Sequence, residues 1–263
     1  MNLLSAVIIT RNEEENISRC LDSLKDVADE IIVLDSFSTD NTVAIASQKG
    51  AKVVQSCFSG YIEQKNKALQ LCSFDYVLSL DADEALSPVL IESILEAKKD
   101  FKHAAYFMNR YNHYCGRFIK YGLWFPDQKV RLFNKRFACW GGMNPHDKIQ
   151  LPKNITAHFL KGNILHYSFN NLREHKDRNE RMSSIAAREI FESGQKKHWS
   201  KIFLSPAWSF FNGYILRLGF LDGYRGFIVA RETARLSYLK YHKLKELLRN
   251  DNSVILHNYK TVE

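Results

Sequence analysis

The chain has 263 residues, of which 45% are hydrophobic and 25% are charged, a composition that excludes a disordered, collagen-like or multi-span membrane protein. Its five cysteines include no Cys-x-x-Cys pair, which argues against a disulfide framework or a structural zinc site and favours a reducing compartment. Residues 1–100 carry a net charge of −8, whereas residues 101–263 carry +16. This asymmetry predicts two tasks on one chain.

The first hundred residues alternate between predicted strands and predicted helices. Strands are predicted at Leu4–Thr10, Glu30–Leu34, Ala51–Gln55 and Tyr76–Leu80, and helices at Glu13–Lys25, Thr42–Lys49, Tyr61–Leu71 and after Ser87-Pro88. Such alternation predicts parallel β-α-β units, and strands that are apolar throughout predict a sheet covered on both faces. The expected fold class is therefore α/β, with a mostly parallel sheet flanked by helices.

Beyond residue 100 the alternation weakens. Further strands are predicted at Ala104–Asn109 and Lys129–Phe133, a long polar helix at Asn171–Ser193, and an aromatic, basic segment at Trp199–Tyr241 that Pro206 and several glycines interrupt. We therefore divide the chain into residues 1–100, residues 101–195 and a C-terminal helical extension at residues 196–263.

Polar residues follow three of the predicted parallel strands, where ligands bind in open α/β sheets. Asp81 and Asp83 follow the fourth strand. Two carboxylates this close repel each other, and a bound divalent cation such as Mg²⁺ or Mn²⁺ would remove that repulsion. The alternative is a solvated acidic loop. Asp35 ends the second strand and could accept a hydrogen bond from a nucleobase or a ribose, or could instead form an Asx-type turn.

Residues Thr10-Arg11-Asn12-Glu13 end the first strand and open the first predicted helix. Free backbone N–H groups at a helix start can bind a nucleotide, although the same residues could simply cap the helix. The sequence contains no G-x-G-x-x-G after the first strand, no P-loop and no G-x-S-x-G. A nicotinamide dehydrogenase, a P-loop NTPase and a hydrolase of the nucleophile-elbow class are therefore disfavoured.

Four segments in order, TRNEEEN, IIVLDSFSTDNT, QKNKAL and YVLSLDADE, resemble the signature of family 2 glycosyltransferases with the GT-A fold. The later segments WFPDQKVRLFNKR, GGMNPHDKI, GNILHYS and GFLDGYRGFIVA are similar to bacterial members that build the lipopolysaccharide core. The resemblance implies a GT-A-like fold. It also implies that residues 1–100 are the half of the GT-A domain that binds the nucleotide-sugar. Residues 101–195 would be the half that binds the acceptor and performs catalysis.

The resemblance implies a role for each matching residue. The residues implied to bind the donor are Thr10, Arg11, Asn12, Glu13, Asp35, Lys65 and Asp81. Asp83 and Asp81 match the Asp-x-Asp pair that binds Mg²⁺ or Mn²⁺, and Asp147 falls where the family places its catalytic base. Arg11 stands where many members have an aromatic residue, Ser36-Phe37 replaces the common Asp-Gly, and Asp147 replaces the Glu that is frequent in this subgroup.

Asp147 and His166 each have two interpretations from the residues alone. A carboxylate at Asp147 could remove the proton of an attacking sugar hydroxyl, or could be a surface aspartate in a turn after Asn144-Pro145. His166 could be a further metal ligand, or a core histidine with satisfied hydrogen bonds. The resemblance favours catalysis for Asp147.

The segment Trp199–Tyr241 mixes aromatic residues with cations, which suits the surface of an anionic bilayer; the alternative is a pair of packed helices or a dimer contact. No secretory signal and no apolar run of roughly 18 residues is found. We therefore expect a cytoplasmic protein, peripheral on the inner face of the cytoplasmic membrane.

The predicted function is that of an inverting glycosyltransferase that moves a sugar from a UDP-linked donor to a lipopolysaccharide-core or related glycolipid or oligosaccharide acceptor. The alternatives are a sugar-phosphate nucleotidyltransferase and a non-enzymatic nucleic-acid-binding module. The acidic first part of the chain argues against nucleic acid as a partner.

Overall fold

The computed structural model describes residues 2–143, 146–193 and 200–260, and it describes only the backbone of Met143, of His146 and of the residues after Arg249. Trp199, which opens the predicted aromatic segment, and Asn144-Pro145, which precede the predicted base, lie outside the described residues.

Eleven strands lie in the described residues. They are β1 Leu4–Thr10, β2 Glu30–Asp35, β3 Lys52–Gln55, β4 Tyr76–Asp81, β5 Glu84–Leu86, β6 Ala105–Tyr114, β7 Arg117–Phe118, β8 Gln128–Asn134, β9 Cys139–Met143, β10 His146–Gln150 and β11 His158–Phe169. Seven α-helices accompany them in the same part of the chain. They are α1 Ile17–Leu24, α2 Thr42–Gln48, α3 Tyr61–Leu71, α4 Pro88–Lys98, α5 Leu172–Glu192, α6 Lys201–Phe211 and α7 Gly223–Lys260.

The main sheet has the order β3-β2-β1-β4-β8-β6-β11-β5, and β7 pairs with the end of β6. Strands β1 to β4 run parallel to one another. Strand β8 pairs with the other side of β4 in the antiparallel direction. Strands β9 and β10 form a separate antiparallel hairpin. The predicted α/β class, with parallel strands, flanking helices and a C-terminal helical extension, is confirmed.

The central parallel strands β1, β2 and β4 are largely buried, as their apolar sequences predict, whereas the edge strand β3 is only partly covered. Ala6 and Ile8 of β1 belong to one buried cluster, together with Ile17 of α1 and Ile94 of α4. Val7 belongs to a second cluster with apolar residues of α3 and of the β9–β10 hairpin. Alternate side chains of one strand therefore support two cores, which fixes the register of the strand.

The first helix begins later than the sequence predicts, at Ile17 rather than Glu13. Asn12 has a left-handed backbone, with φ 55°, and its N–H donates to Ser38 Oγ. The N–H of Glu13 donates to Thr42 Oγ1 at 2.8 Å. Because the loop before α2 engages these N–H groups, residues 12–16 form a turn and the helix starts only after it.

The C-terminal extension is interrupted at fewer points than its sequence suggests. Pro206 lies within α6 and Gly226 lies within α7, so neither ends a helix. The interruption falls at residues 212–222, which form a π-helical turn followed by a 3₁₀ turn. Gly219 permits this close packing, because a Cβ there would lie 3.2 Å from the Tyr214 Cα.

The chain separates into two compact units. The first consists of Met1–Asn112 and Pro126–Ser168, and the second of His113–Phe125 and Phe169–Glu263, as far as they are described. The division into functional segments at residues 100 and 195 concerns ligands rather than packing, and it stays a prediction.

The approach of β11 to α4 depends on a glycine. Gly162 has φ +107°, and a Cβ there would lie 2.6 Å from the Leu90 Cα. We expect Gly162→Ala to lower the unfolding free energy by about 3 kcal/mol, because backbone strain adds to steric overlap. Gly50→Ala is the matched control: it has φ +80° but no atom within 4 Å, and we expect a loss of about 1 kcal/mol. Urea denaturation measures both, and equal losses would refute the packing explanation.

Candidate active site

Two of the predicted acidic positions leave the main sheet at the same edge. The register of β1 pairs Thr10 with Asp35 on one side and Ile9 with Asp81 on the other. Asp35 and Asp81 therefore stand two strand spacings apart, or about 10 Å. The predicted convergence of the strand ends at one edge is present.

Asp35 is fully buried, and its carboxylate is held by the turn that follows. Its Oδ2 accepts hydrogen bonds from the Ser38 N–H at 2.9 Å and from Gln55 Nε2 at 3.1 Å, and its Oδ1 accepts one from the Ser38 hydroxyl. The turn that the sequence offered as the alternative to base recognition is thus formed. Oδ1 can accept a second hydrogen bond, and the recognition of a base stays a prediction.

The residues after β1 make contact with the turn that follows Asp35. Asn12 Oδ1 accepts from the Thr39 N–H at 2.8 Å, whereas Arg11 is exposed. Burial raises the pKa of Glu13; a hydrogen bond from Asn16 opposes the shift, and the charges of Asp83, Asp40 and Asp81 add to it. The pKa of Glu13 therefore depends in part on the charges of the acidic pair at the end of β4.

The charge of Asp81 is compensated by two cations. Its Oδ1 lies 3.0 Å from Lys65 Nζ, and its Oδ2 lies 2.8 Å from Arg131 Nη2. Burial by itself would raise the pKa of Asp81, but Arg131 and Lys65 outweigh that effect and hold the pKa well below its usual value. Asp81 is therefore a stable anion.

A third acid, Glu84, lies beneath the Asp-x-Asp pair, and the sequence analysis does not single it out. Its side chain is fully buried; it accepts from Arg131 at 2.9 Å and from Arg110 at 3.2 Å, and its Oε2 accepts from the Asp81 N–H at 3.0 Å. The signal was a third acid in Asp81-Ala82-Asp83-Glu84. Arg131 is buried and joins Asp81 to Glu84.

Asp83 faces His166. The His166 Nε2 lies 3.0 Å from Asp83 Oδ2, and its Nδ1 lies 2.6 Å from Asn112 Oδ1 and 2.9 Å from Ser168 Oγ. If Nδ1 carries the proton and donates to Asn112, the Nε2 lone pair points toward Asp83. The histidine thus has hydrogen-bond partners, as in the core interpretation, and also faces an acid, as in the ligand interpretation.

The donor set at Asp83 and His166 fits a divalent ion. Two adjacent ligands of an octahedral ion, each about 2.1 Å from it, stand about 3 Å apart, and the observed nitrogen–oxygen distance is 3.0 Å. Among the described residues, no group of three or more His, Cys, Asp and Glu side chains could hold a metal. A two-ligand site suits Mg²⁺ or Mn²⁺, which take further ligands from substrate phosphates. That Asp83, His166 and Asp81 hold a metal ion stays a prediction.

Asp147 of β10 and Asp81 at the end of β4 both contact the ammonium group of Lys65. The Lys65 Nζ lies 2.8 Å from Asp147 Oδ2 and 3.0 Å from Asp81 Oδ1, and it stands 4.3 Å from the ring centre of Trp140. The Asp147 side chain is only 12% exposed. Asp147 is therefore not the surface aspartate that the alternative interpretation describes.

A side-chain clamp, formed by Asn66 of α3 and the backbone of Trp140 on β9, holds the β9–β10 hairpin beside α3. Asn66 Nδ2 donates to the Trp140 carbonyl at 2.9 Å, and the Trp140 N–H donates to Asn66 Oδ1 at 2.9 Å. Asp147 lies on β10, opposite Gly142 of β9. Because Asn66 holds β9, the preceding residue, Lys65, can reach Asp147. The sequence analysis misses this role of Asn66, although the residue lies within the QKNKAL segment.

The comparisons with known proteins agree on a family. The sequence profile described as Glycosyl transferase family 2 matches residues 5–169, a range that holds every predicted site residue. An uncharacterized glycosyltransferase of Rickettsia felis is 33% identical over 97% of this chain and 94% of its own length. The lipopolysaccharide core biosynthesis glycosyltransferase LpsC of Rhizobium meliloti is 27% identical over 92% of this chain and 91% of its own length.

A solved structure of glucosyl-3-phosphoglycerate synthase from Mycobacterium tuberculosis holds Mn²⁺, uridine diphosphate and glucosyl-3-phosphoglycerate. It shares 28% identity with this chain and has a TM-score of 0.36. The match covers 43% of this chain and 44% of that one.

The buried cation Arg131 gives a test of the charge network. We expect Arg131→Met to lower the unfolding free energy by about 3 kcal/mol, because two carboxylates lose their shared partner. Adding Glu84→Gln should recover part of the loss, because it removes one of the two carboxylates that shared Arg131. Arg136→Met is the matched control: its ion pair with Asp75 is exposed and should contribute less than about 1 kcal/mol. Urea denaturation measures these values, and a double variant less stable than Arg131→Met would contradict the network.

Proposed function

The chain belongs to glycosyltransferase family 2, and on that premise we propose that it is an inverting, metal-dependent enzyme that transfers a sugar from a UDP-linked donor to a lipopolysaccharide-core or related glycolipid acceptor. The family assignment favours sugar transfer over the nucleotidyltransferase and nucleic-acid-binding hypotheses.

One observation carries the proposal: a single ammonium group joins an acid at the end of β4 to an acid on the β9–β10 hairpin. Lys65 contacts Asp81 and Asp147 at 3.0 Å and 2.8 Å. A transferase of this kind needs a charged donor site and a base for the acceptor close together. Lys65 supplies that proximity in this chain.

The donor nucleotide would lie along the carboxyl edge of β1, β2 and β4. Asp35 would accept a hydrogen bond from the base, and the segment Thr10-Arg11-Asn12-Glu13 would line the nucleotide. Lys65, which is 4% exposed, would bring positive charge toward the diphosphate. Asp81 would keep this lysine in place through their ion pair.

Asp83 and His166 would hold the divalent ion, Mg²⁺ or Mn²⁺, with Asp81 nearby. When bound, such an ion neutralises the charge of a departing diphosphate. Asn112 supports this arrangement by fixing the His166 ring through Nδ1. A side chain that orients His166 is therefore present.

Asp147 would act as the base. As the acceptor oxygen forms its bond to the anomeric carbon and the bond from that carbon to the diphosphate oxygen breaks, the proton of the acceptor hydroxyl passes to the Asp147 carboxylate. A single displacement of this kind inverts the configuration and needs no enzyme nucleophile. Lys65 holds Oδ2 and so orients the carboxylate.

The proposed acceptor class is supported by the likeness to LpsC, whose name places that protein in lipopolysaccharide core biosynthesis. A lipid-linked acceptor would place the enzyme at the inner face of the cytoplasmic membrane, as a peripheral protein. Soluble oligosaccharide fragments of the same acceptor would bind the same site.

The donor and metal can be tested by thermal stabilisation. We expect UDP or a UDP-sugar with Mn²⁺ to raise the melting temperature by about 5 °C at saturating concentration, and less without the metal. Asp83→Asn should abolish the contribution of the metal, whereas the exposed-site control Asp22→Asn should keep it. Stabilisation by a different base would refute the UDP donor, and an Asp83→Asn variant that responds fully to Mn²⁺ would refute the metal site.

The base can be tested by Asp147→Asn, which keeps the shape of the side chain but cannot take up the proton. We expect nucleoside diphosphate release, with a lipopolysaccharide-core oligosaccharide as acceptor, to fall at least about 100-fold, while donor binding persists. The exposed Asp75→Asn is the control and should leave release unchanged. Release near the rate of the unmodified protein, with donor bound normally, would show that Asp147 is not the base.

A further inference from the structure

Residues 203–224 of the second unit expose an unusual density of large apolar side chains. We call six of them the apolar face: Phe203, Leu204, Trp208, Phe211, Leu221 and Tyr224. Phe203 is 75% exposed, Trp208 is 59% exposed and Tyr224 is 77% exposed. Isolated exposed apolar residues are common on soluble proteins, but a dense run within one segment marks an interaction surface.

Helix α6 exposes its apolar side to solvent, whereas most surface helices expose their polar side. Its residues Phe203, Leu204, Trp208 and Phe211 fall within an arc of about 140° at 100° per residue. On the other side of the helix, Ile202 is buried and Ser205 hydrogen-bonds to Ser237 of α7 at 2.8 Å. The helix thus packs on α7 by a mixed face and presents an apolar face outward.

The charge around the apolar face has one sign. Residues 200–221 contain Lys201 and Arg217 and no Asp or Glu, and both cations are exposed. Asp222 follows, but its carboxylate accepts from the backbone N–H groups of Lys120 and Tyr121. The cations therefore face solvent without an acid in the same segment to compensate them.

These features fit one occupant best. Aromatic side chains such as Trp208 and Tyr224 are favoured at the boundary between headgroups and acyl chains, and exposed cations are attracted to anionic headgroups. A second copy of the chain would instead place Lys201 and Arg217 opposite the same cations in a self-complementary interface. Within the described residues, no helix combines the length and apolarity that crossing a bilayer requires.

We propose that the apolar face docks onto an anionic phospholipid bilayer, with its aromatic side chains at headgroup depth and with Lys201 and Arg217 against the phosphates. This docking deepens the proposed function, because a glycolipid acceptor would lie in the same surface. The link to sugar transfer rests on the proposed glycolipid acceptor. Binding to the bilayer itself requires neither donor nor acceptor.

Vesicle flotation of the full chain tests the docking without donor or acceptor, so a failure here is separate from a failure of sugar transfer. We expect binding to vesicles of equal parts phosphatidylglycerol and phosphatidylcholine, and at least 10-fold weaker binding to pure phosphatidylcholine. The double variant Phe203→Ser, Trp208→Ser should weaken binding to the anionic vesicles at least 10-fold. Lys201→Glu with Arg217→Glu should weaken it and reduce its salt dependence.

Phe137→Ser, at a 49% exposed phenylalanine of the first unit, is the matched control and should bind as the unmodified chain does. Equal binding by the Phe203, Trp208 double variant would overturn the proposal. It would also be overturned if the chain ignores anionic vesicles and light scattering shows a dimer that this double variant dissociates, because the face would then be a contact between copies.

Discussion

The site depends on the compensation of like charges at the end of one strand. Asp81, Asp83 and Glu84 lie within four residues, and such a cluster is stable in a folded protein only if cations or a bound ion balance it. Arg131 and Lys65 provide that balance from other elements, one from β8 and one from α3. Asp83 contacts His166 at 3.0 Å. Charge compensation thus separates the acids into a structural group and an acid that faces a candidate metal ligand.

The first half of the fold could be predicted closely because its strands are short, apolar and separated by helices. β1 and α3 have the bounds that the sequence predicts, and the polar residues after the strands share one edge as parallel pairing requires. The start of α1 could not be predicted, because it depends on hydrogen bonds that the N–H groups of Asn12 and Glu13 donate to Ser38 and Thr42. Those bonds join residues more than 25 positions apart.

The sequence could name candidate site residues one by one, but it could not predict how they are arranged. The residues named for the donor, the metal and the base all lie in the matched family range, yet no local pattern indicates that Lys65 contacts Asp147. That contact depends on the clamp between Asn66 and Trp140. Glu84 was missed for a related reason: a carboxylate at the end of an acidic run resembles a solvated one until the buried arginines are seen.

The position of Lys65 restricts how the sequence of this enzyme can change. The lysine is 16 residues from one of its acids and 82 residues from the other, and it contacts both with a single charge. A neutral replacement would remove the cation that contacts Asp147 and would leave Asp81 with Arg131. A substitution at Lys65 would therefore disturb the end of β4 and the β9–β10 hairpin at the same time.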